Sequence, residues 1–167
     1  MPGYLVFPGG RVDDGDHVAA VAAGLRPEVA ALLTGHGSSG RVGDLPRALA
    51  VAAARELFEE TGLTLGCPDM SEVFHPDLSS LRYLGRAVTP SWSPVRFDAR
   101  FFAAPACAAQ GEVRDSAELE DVGWYPADVT GATVAPITAR VLSAFRDAMM
   151  LLAQGGWPPP ACFTVPS

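Results

Sequence analysis

Hydrophobic and polar positions follow two different periods along this chain, and each change of period marks an element. Residues 4–7 are a short apolar run entering Pro8-Gly9-Gly10, which predicts a strand that ends in a turn. Residues 17–34 are rich in Ala, Val and Leu, with Pro27 placed at the first turn of a short helix. Gly35 to Gly40 reads as a loop by composition. From about Pro46 to Thr61, Leu49, Ala53 and Leu57 recur at helical spacing away from a face of glutamates. Gly62 stands where a helix takes its capping glycine. Residues 81–88 and 95–104 predict strands; in the second, Arg96, Asp98 and Arg100 alternate with Phe97, Ala99 and Phe101. Those phenylalanines, with Phe102, are expected in the core. Pro90 to Pro94 forms a tight connection, and Leu119 to Tyr125 predicts a further short strand.

Pro136 opens a closing helix to about Ala153, with Ile137, Val141, Leu142, Phe145, Met149 and Leu152 as its apolar stripe. The segment from Gly155 holds three consecutive prolines and is expected to be extended and loosely held. There is no internal repeat. Strands and helices in this mixed order predict one α/β domain over residues 1–154, a sheet covered by helices on both faces, followed by a proline-rich tail at 155–167.

A length of 167 residues suffices for one domain with a substantial core, and 49% hydrophobic against 19% charged residues argues against disorder. The net charge of -7 disfavours a sequence-independent grip on a nucleic acid polymer. It leaves phosphate substrates open, because cations held by carboxylates can supply positive charge. No apolar stretch approaches the 18 residues of a membrane span. Cys67, Cys107 and Cys162 show no metal spacing and read as reduced thiols. No secretory leader and a cytoplasmic location are expected.

The densest chemistry lies in Arg55-Glu56-Leu57-Phe58-Glu59-Glu60-Thr61-Gly62-Leu63. Glu56 is three and four residues from Glu59 and Glu60, so all three can share a helix face. Glu59 and Glu60 would sit at the negative end of the helix dipole, where stability favours cations by roughly 0.3–1 kcal/mol per charge. Carboxylates about 6 Å apart repel by roughly 2–3 kcal/mol per pair at an effective dielectric near 20. A hard divalent cation with oxygen ligands would relieve that repulsion; for a lone E-x-x-E-E, an acidic solvated helix end would be the simpler explanation.

Gly10, then Asp16 after five residues, then the run from Arg55 to Leu63 together resemble the Nudix hydrolase signature: Gly, five residues, Glu, seven residues, Arg-Glu-aliphatic-x-Glu-Glu-x-Gly-aliphatic. The second half matches at every defined position. Asp16 stands where the family usually has Glu. Between Asp16 and Arg55 lie 38 residues (17 to 54) where the motif has seven, an excess of 31. This split resembles the branch that includes peroxisomal-type acyl-coenzyme A diphosphatases, as does Arg96-Phe97-Asp98-Ala99-Arg100-Phe101-Phe102. Residues 17–46 are expected to form a helical insertion inside the box, a flap that can be removed without loss of the fold.

The resemblance implies an α/β/α sandwich with a mixed sheet, and Mg²⁺ or Mn²⁺ held by Glu56, Glu59, Glu60 and the Gly10 carbonyl. It implies Glu56, or Glu112 from a later loop, as the base; Glu118 is a second loop carboxylate of that kind. Arg55 is expected to pair with Asp16 or a box glutamate and fix their rotamers. Arg96 and Arg100 suit either carboxylates across the sheet or substrate phosphate. His17, His36 and His75 lack ligand spacing and are read as loop or surface residues. The substrate implied is a small nucleoside diphosphate linked to another group, coenzyme A or acyl-coenzyme A first, with 8-oxo-nucleotides, NAD(H) and nucleotide sugars as alternatives. Nudix domains carry strands before the Pro-Gly-Gly turn, and only Met1 to Phe7 stand there. An open sheet edge, with a homodimer or another partner on it, is therefore expected. A scaffold that binds without turnover is the competing expectation; it draws on the short front and on Asp16, and the intact glutamate trio opposes it.

Overall fold

Helix-forming residues with few β-branched side chains run from Leu45 to Thr61, and there the chain forms a helix, α2. It ends where expected: Gly62 adopts φ 78°, and its N–H donates to the Phe58 carbonyl at 2.9 Å. The buried positions are Ala48, Ala50, Val51, Ala52 and Ala54, whereas Leu49, Ala53 and Leu57 are only half-buried. Alanines have so little side chain that the helix is buried on more of its circumference than an apolar stripe suggests.

This computed structural model describes residues 3–34, 45–66, 75–92, 97–129 and 133–164. They fall into two compact units: Met1–Phe7, Tyr83–Phe101 and Trp124–Ser167 form one, and Pro8–Arg82 with Phe102–Gly123 the other. The second unit holds a 3-10 turn at Asp14–His17, helix α1 at Pro27–Thr34, and α2. Strand β1 at Thr64–Leu65 pairs antiparallel with the short strand at Ala109–Gln110. Its core gathers Ala50, Val51, Ala54, Leu65, Leu78 and Leu81, with Ala19, Val21, Leu25 and Leu57 against them.

The insertion departs from expectation. Among its described residues, His17 closes the 3-10 turn, Pro27–Thr34 is a helix of its own, and Leu45 and Pro46 already belong to α2; Gly35 to Gly40 lies outside them. Residues 19–26 instead form a non-helical strap. Ala23 bridges Asp77 in parallel, Leu78 N–H donates to the Ala23 carbonyl at 3.0 Å, and Arg26 donates to the Leu81 carbonyl at 3.0 Å. Val29 and Leu33 are buried. The insertion is part of the core of its unit.

The first unit is built on β2 at Arg82–Val88, flanked by β3 at Asp98–Ala103 and by the strand at Ala161–Thr164. Numbering in chain order makes Ala109–Gln110 β4 and Ala161–Thr164 β5. The tail is thus a correction. It is extended but firmly held: β5 runs parallel to β2 in the register Gly85↔Ala161 to Val88↔Thr164. Trp157 donates its indole N–H to the Tyr83 carbonyl at 3.1 Å, and Phe163 is buried. Gly85 permits the pairing, since a Cβ there would lie 2.5 Å from the Ala161 carbonyl oxygen.

Helix α3, Pro136–Leu152, packs Val141, Ala148, Ile137, Ala144 and Phe145 with Leu84, Ala87 and Phe163. Met149, expected in that stripe, is exposed. Phe101 joins the same cluster and Phe102 packs in the second unit's core, while Phe97 is exposed. Leu119 to Tyr125 is not a strand. Asp121 takes φ 55°, the Asp115 carboxylate accepts from Val122 N–H at 2.9 Å, and Trp124 is 68% exposed. The expected first strand is reduced to a single bridge, Leu5 with Val134. The result is a mixed α/β fold with a mixed sheet and three helices among the described residues. No described helix is long and apolar enough to cross a membrane.

Candidate active site

The last two turns of α2 and the segment from Pro8 to His17 meet around one guanidinium. Arg55 Nε and Nη2 each lie 3.0 Å from an Asp16 carboxylate oxygen, the two-pronged geometry that arginine favours. Its Nη1 donates to Glu56 at 2.8 Å and to Glu59 at 3.1 Å. Nη2 also reaches the Arg11 carbonyl at 2.8 Å, with Asp13 at 3.8 Å. Asp16 and Asp13 close a reciprocal cap on the 3-10 turn, the Asp13 N–H donating to Asp16 at 2.8 Å.

Glu60 faces another way. It is buried, and its carboxylate accepts from the Gly9 N–H at 2.8 Å, tying the Pro8-Gly9-Gly10 turn to the helix. Gly10 lies against Glu56: a Cβ on Gly10 would sit 2.1 Å from Glu56 Oε1. The turn can approach the glutamate only because position 10 is glycine.

These contacts shift the acids in opposite directions. Burial pushes Asp16 up, but the Arg55 hydrogen bonds, the Asp13 N–H and the guanidinium charge outweigh it and hold the carboxyl below its ordinary value. Arg55 itself is held above its usual range, first by Asp16 and also by Glu56. Glu60 is raised: burial is the largest cause, the Gly9 N–H opposes it, and Glu56, Glu118 and Glu59 add repulsion. One guanidinium therefore faces Asp13, Asp16, Glu56 and Glu59, and the Glu60 carboxylate is met by the Gly9 N–H. Among the described residues, no three His, Cys, Asp or Glu side chains converge as a metal-binding group, because Arg55 holds Glu56 and Glu59 while Glu60 bonds to Gly9.

The structure thus brings together Gly10, Asp16, Arg55, Glu56, Glu59 and Glu60. Glu112 is exposed on the loop after β4, its carbonyl against Gly62. Arg96 lies outside the described residues. Arg100 belongs to the first unit, where its side chain is 8% exposed and pairs with Asp98 at 2.6 Å. Arg86 takes the same carboxylate at 2.7 and 2.8 Å. Arg100 thus pairs with a carboxylate two residues away on its own strand, and it is Arg86 that reaches Asp98 across the sheet.

Sequence reasoning did not anticipate Gly9 or Asp13. Gly9 acts through its backbone and leaves no side-chain signal, but Asp13 three residues before Asp16 is legible as a capping pair.

Comparison with protein-family profiles and with curated proteins finds no match. Among solved structures, the chain is similar to the crystal structure of a NUDIX hydrolase from Alicyclobacillus acidocaldarius. The TM-score is 0.64 at 25% sequence identity, over 96% of this chain and 84% of that one. The fold is that of a Nudix hydrolase. The match supports a Nudix hydrolase acting on phosphorus anhydrides. The Arg55 hub lies within the stretch from Gly10 to Leu63 that resembles the Nudix signature.

Proposed function

We propose that this chain is a metal-dependent Nudix diphosphatase, one domain acting in the cytoplasm on nucleoside diphosphate-X compounds, with coenzyme A or an acyl-coenzyme A as preferred substrate. The observation that carries the reading is the carboxylate set around Arg55, Gly9 and Gly10 in a chain with a Nudix fold. The donors fit Mg²⁺ or Mn²⁺ by chemistry: they are hard oxygens, and Glu60 carries a charge that burial and neighbouring acids disfavour. Glu56, Glu59, Glu60 and the Gly10 carbonyl would hold the metal. When bound, it supplies positive charge against the diphosphate and lowers the pKa of water.

The chain's own residues supply the rest. Gly9 N–H fixes the Glu60 carboxylate. Asp16, kept charged by its depressed pKa, holds Arg55, and Arg55 holds Glu56 and Glu59 in place for the reaction. Glu56, or Glu112 from the loop, takes the proton from the water that attacks phosphorus in line. Arg96 and Arg100 serve the substrate phosphates; Arg100 would have to share or leave Asp98 to do so.

The test is a screen of diphosphate compounds with Mg²⁺ and Mn²⁺, the products identified by liquid chromatography. Coenzyme A should yield adenosine 3′,5′-bisphosphate and a 4′-phosphopantetheine product, faster than dephospho-coenzyme A is cleaved. Equal specificity constants for the two would remove coenzyme A while leaving the diphosphatase; no cleavage of any diphosphate with either metal would remove the enzyme.

A further inference from the structure

Residues 13–19 are pinned to α2 at two places. Asp16 and the Arg11 carbonyl meet Arg55, and the carbonyls of His17 and Ala19 accept from Arg47, the former at 3.2 Å. Arg47 precedes Arg55 by eight residues on one continuous helix, about 12 Å along its axis. Asp16 is therefore held one residue away from a second anchor on the same rigid element. Between the anchors the chain is compact, with Ala19 and Val18 N–H both donating to the Gly15 carbonyl.

The split box explains why a second anchor matters. With seven intervening residues, the connection itself would keep the acid beside its arginine. With 38, the larger closure entropy works against the pairing. It is offset if the strap is fastened to the helix immediately after the acid. A forked guanidinium suits two neighbouring carbonyls, since it offers five donors in fixed geometry.

We propose that Arg47 is a positioning residue for the active site: its grip on His17 and Ala19 holds Asp16 on Arg55, and through Arg55 sets Glu56 and Glu59. This rests on the functional reading above. It makes Arg47 the local substitute for the short connection that the insertion removed.

The test uses the full chain and Mn²⁺ affinity from water-proton relaxation, alongside kcat, KM and Tm. Arg47→Met should weaken Mn²⁺ binding and lower kcat by about tenfold or more, with KM little changed, and Arg47→Lys should recover part of both. Arg26→Met, which cuts a tether of the strap that lies away from Asp16, at Leu81, should lower Tm and leave Mn²⁺ affinity unchanged. In an Asp16→Asn background, Arg47→Met should have no further effect on Mn²⁺ affinity. Wild-type Mn²⁺ affinity and kcat in Arg47→Met would overturn the proposal, as would the same loss in Arg26→Met or full additivity with Asp16→Asn. Should Arg47→Met fail to fold, Arg47→Lys against Arg26→Lys carries the same comparison. If Glu60→Gln binds Mn²⁺ as wild type does, the functional reading itself falls, and this inference with it.

Discussion

Position 10 has room for a hydrogen atom and no more. A methyl there would collide with the end of the Glu56 side chain, which is flexible, so the side chain would swing away and the backbone stay put. Gly10→Ala is therefore expected to change stability by no more than about 0.5–1 kcal/mol, in the range of single substitutions outside a core, while activity falls at least tenfold as Glu56 leaves Arg55. Thermal melts and kinetics on the same sample check this, and a variant with full activity would show that Glu56 is not needed where it stands. Glu60 works in the other direction. Its folded pKa is raised, so its contribution to stability is present below its unfolded value near 4.5 and lost as pH rises through the folded one. At neutral pH the native state carries that cost. Glu60→Gln keeps an acceptor for Gly9 N–H and removes the charge, so Tm should rise at pH 7, by about 2–4 °C per kcal/mol regained. The gain should shrink as pH falls through the raised folded pKa and vanish below about 4.5, and turnover should drop by orders of magnitude. A lower Tm at pH 7 would contradict the assigned repulsion.

At the scale of elements, the insertion changes meaning most. Read as a flap, it could be replaced by a short linker. Closing 38 residues rather than seven costs only about 1.5 kcal/mol by the logarithmic law, so nothing in the length forbids an appendage. The structure instead places Val29 and Leu33 in the core and bridges Ala23 to Asp77. Replacing residues 17–46 by a linker should accordingly abolish the cooperative melt, because several buried side chains and a strand-like bridge are lost together. A milder form is Leu33→Ala, which should cost about 2–5 kcal/mol, measured by denaturant unfolding. A shortened protein melting cooperatively near the wild-type Tm would restore the flap.

For the whole molecule, pH is a sharp probe because each unit holds one depressed aspartate, Asp98 in the first and Asp16 in the second. Asp98 is held below its ordinary value first by the Arg86 hydrogen bonds, against some burial, and then by Arg100; Asp16 is held low by Arg55. A depressed carboxyl contributes stability above its unfolded pKa, and that contribution is lost as pH falls through the folded one. Tm should therefore decline as pH drops below about 4. Asp98→Asn should lower Tm at pH 7 and flatten the decline, since its share has already gone. An identical pH profile for wild type and Asp98→Asn would show that Asp98 titrates alike folded and unfolded.

What the sequence determined by itself was local. Alanine, leucine and glutamate between Pro46 and Thr61, with Gly62 after them, define a helix and its end, because hydrogen bonding within the segment and one left-handed residue suffice. The same holds for Pro27, for Pro136 to Leu152 and for the strand near residues 82–88. The resemblance to the Nudix signature from Arg55 to Leu63 was legible for the same reason: the spacing of Glu56, Glu59 and Glu60 is a helix face. Tertiary structure decided whatever depended on a distant partner. The tail became a strand because β2 offered Gly85 and an unpaired side, and a proline-rich composition carries no trace of that. Met149 turned outward although Ile137, Val141 and Phe145 pack as expected, because α3 also buries the small Ala148 beside it, so the packed face stops short of Met149. At the site, the sequence supplied the acids and the arginine, but not that Arg55 serves Asp16, Glu56 and Glu59 together while Glu60 turns to Gly9. Those choices follow from which donors the folded backbone brings within 3 Å, and backbone donors look alike in every sequence.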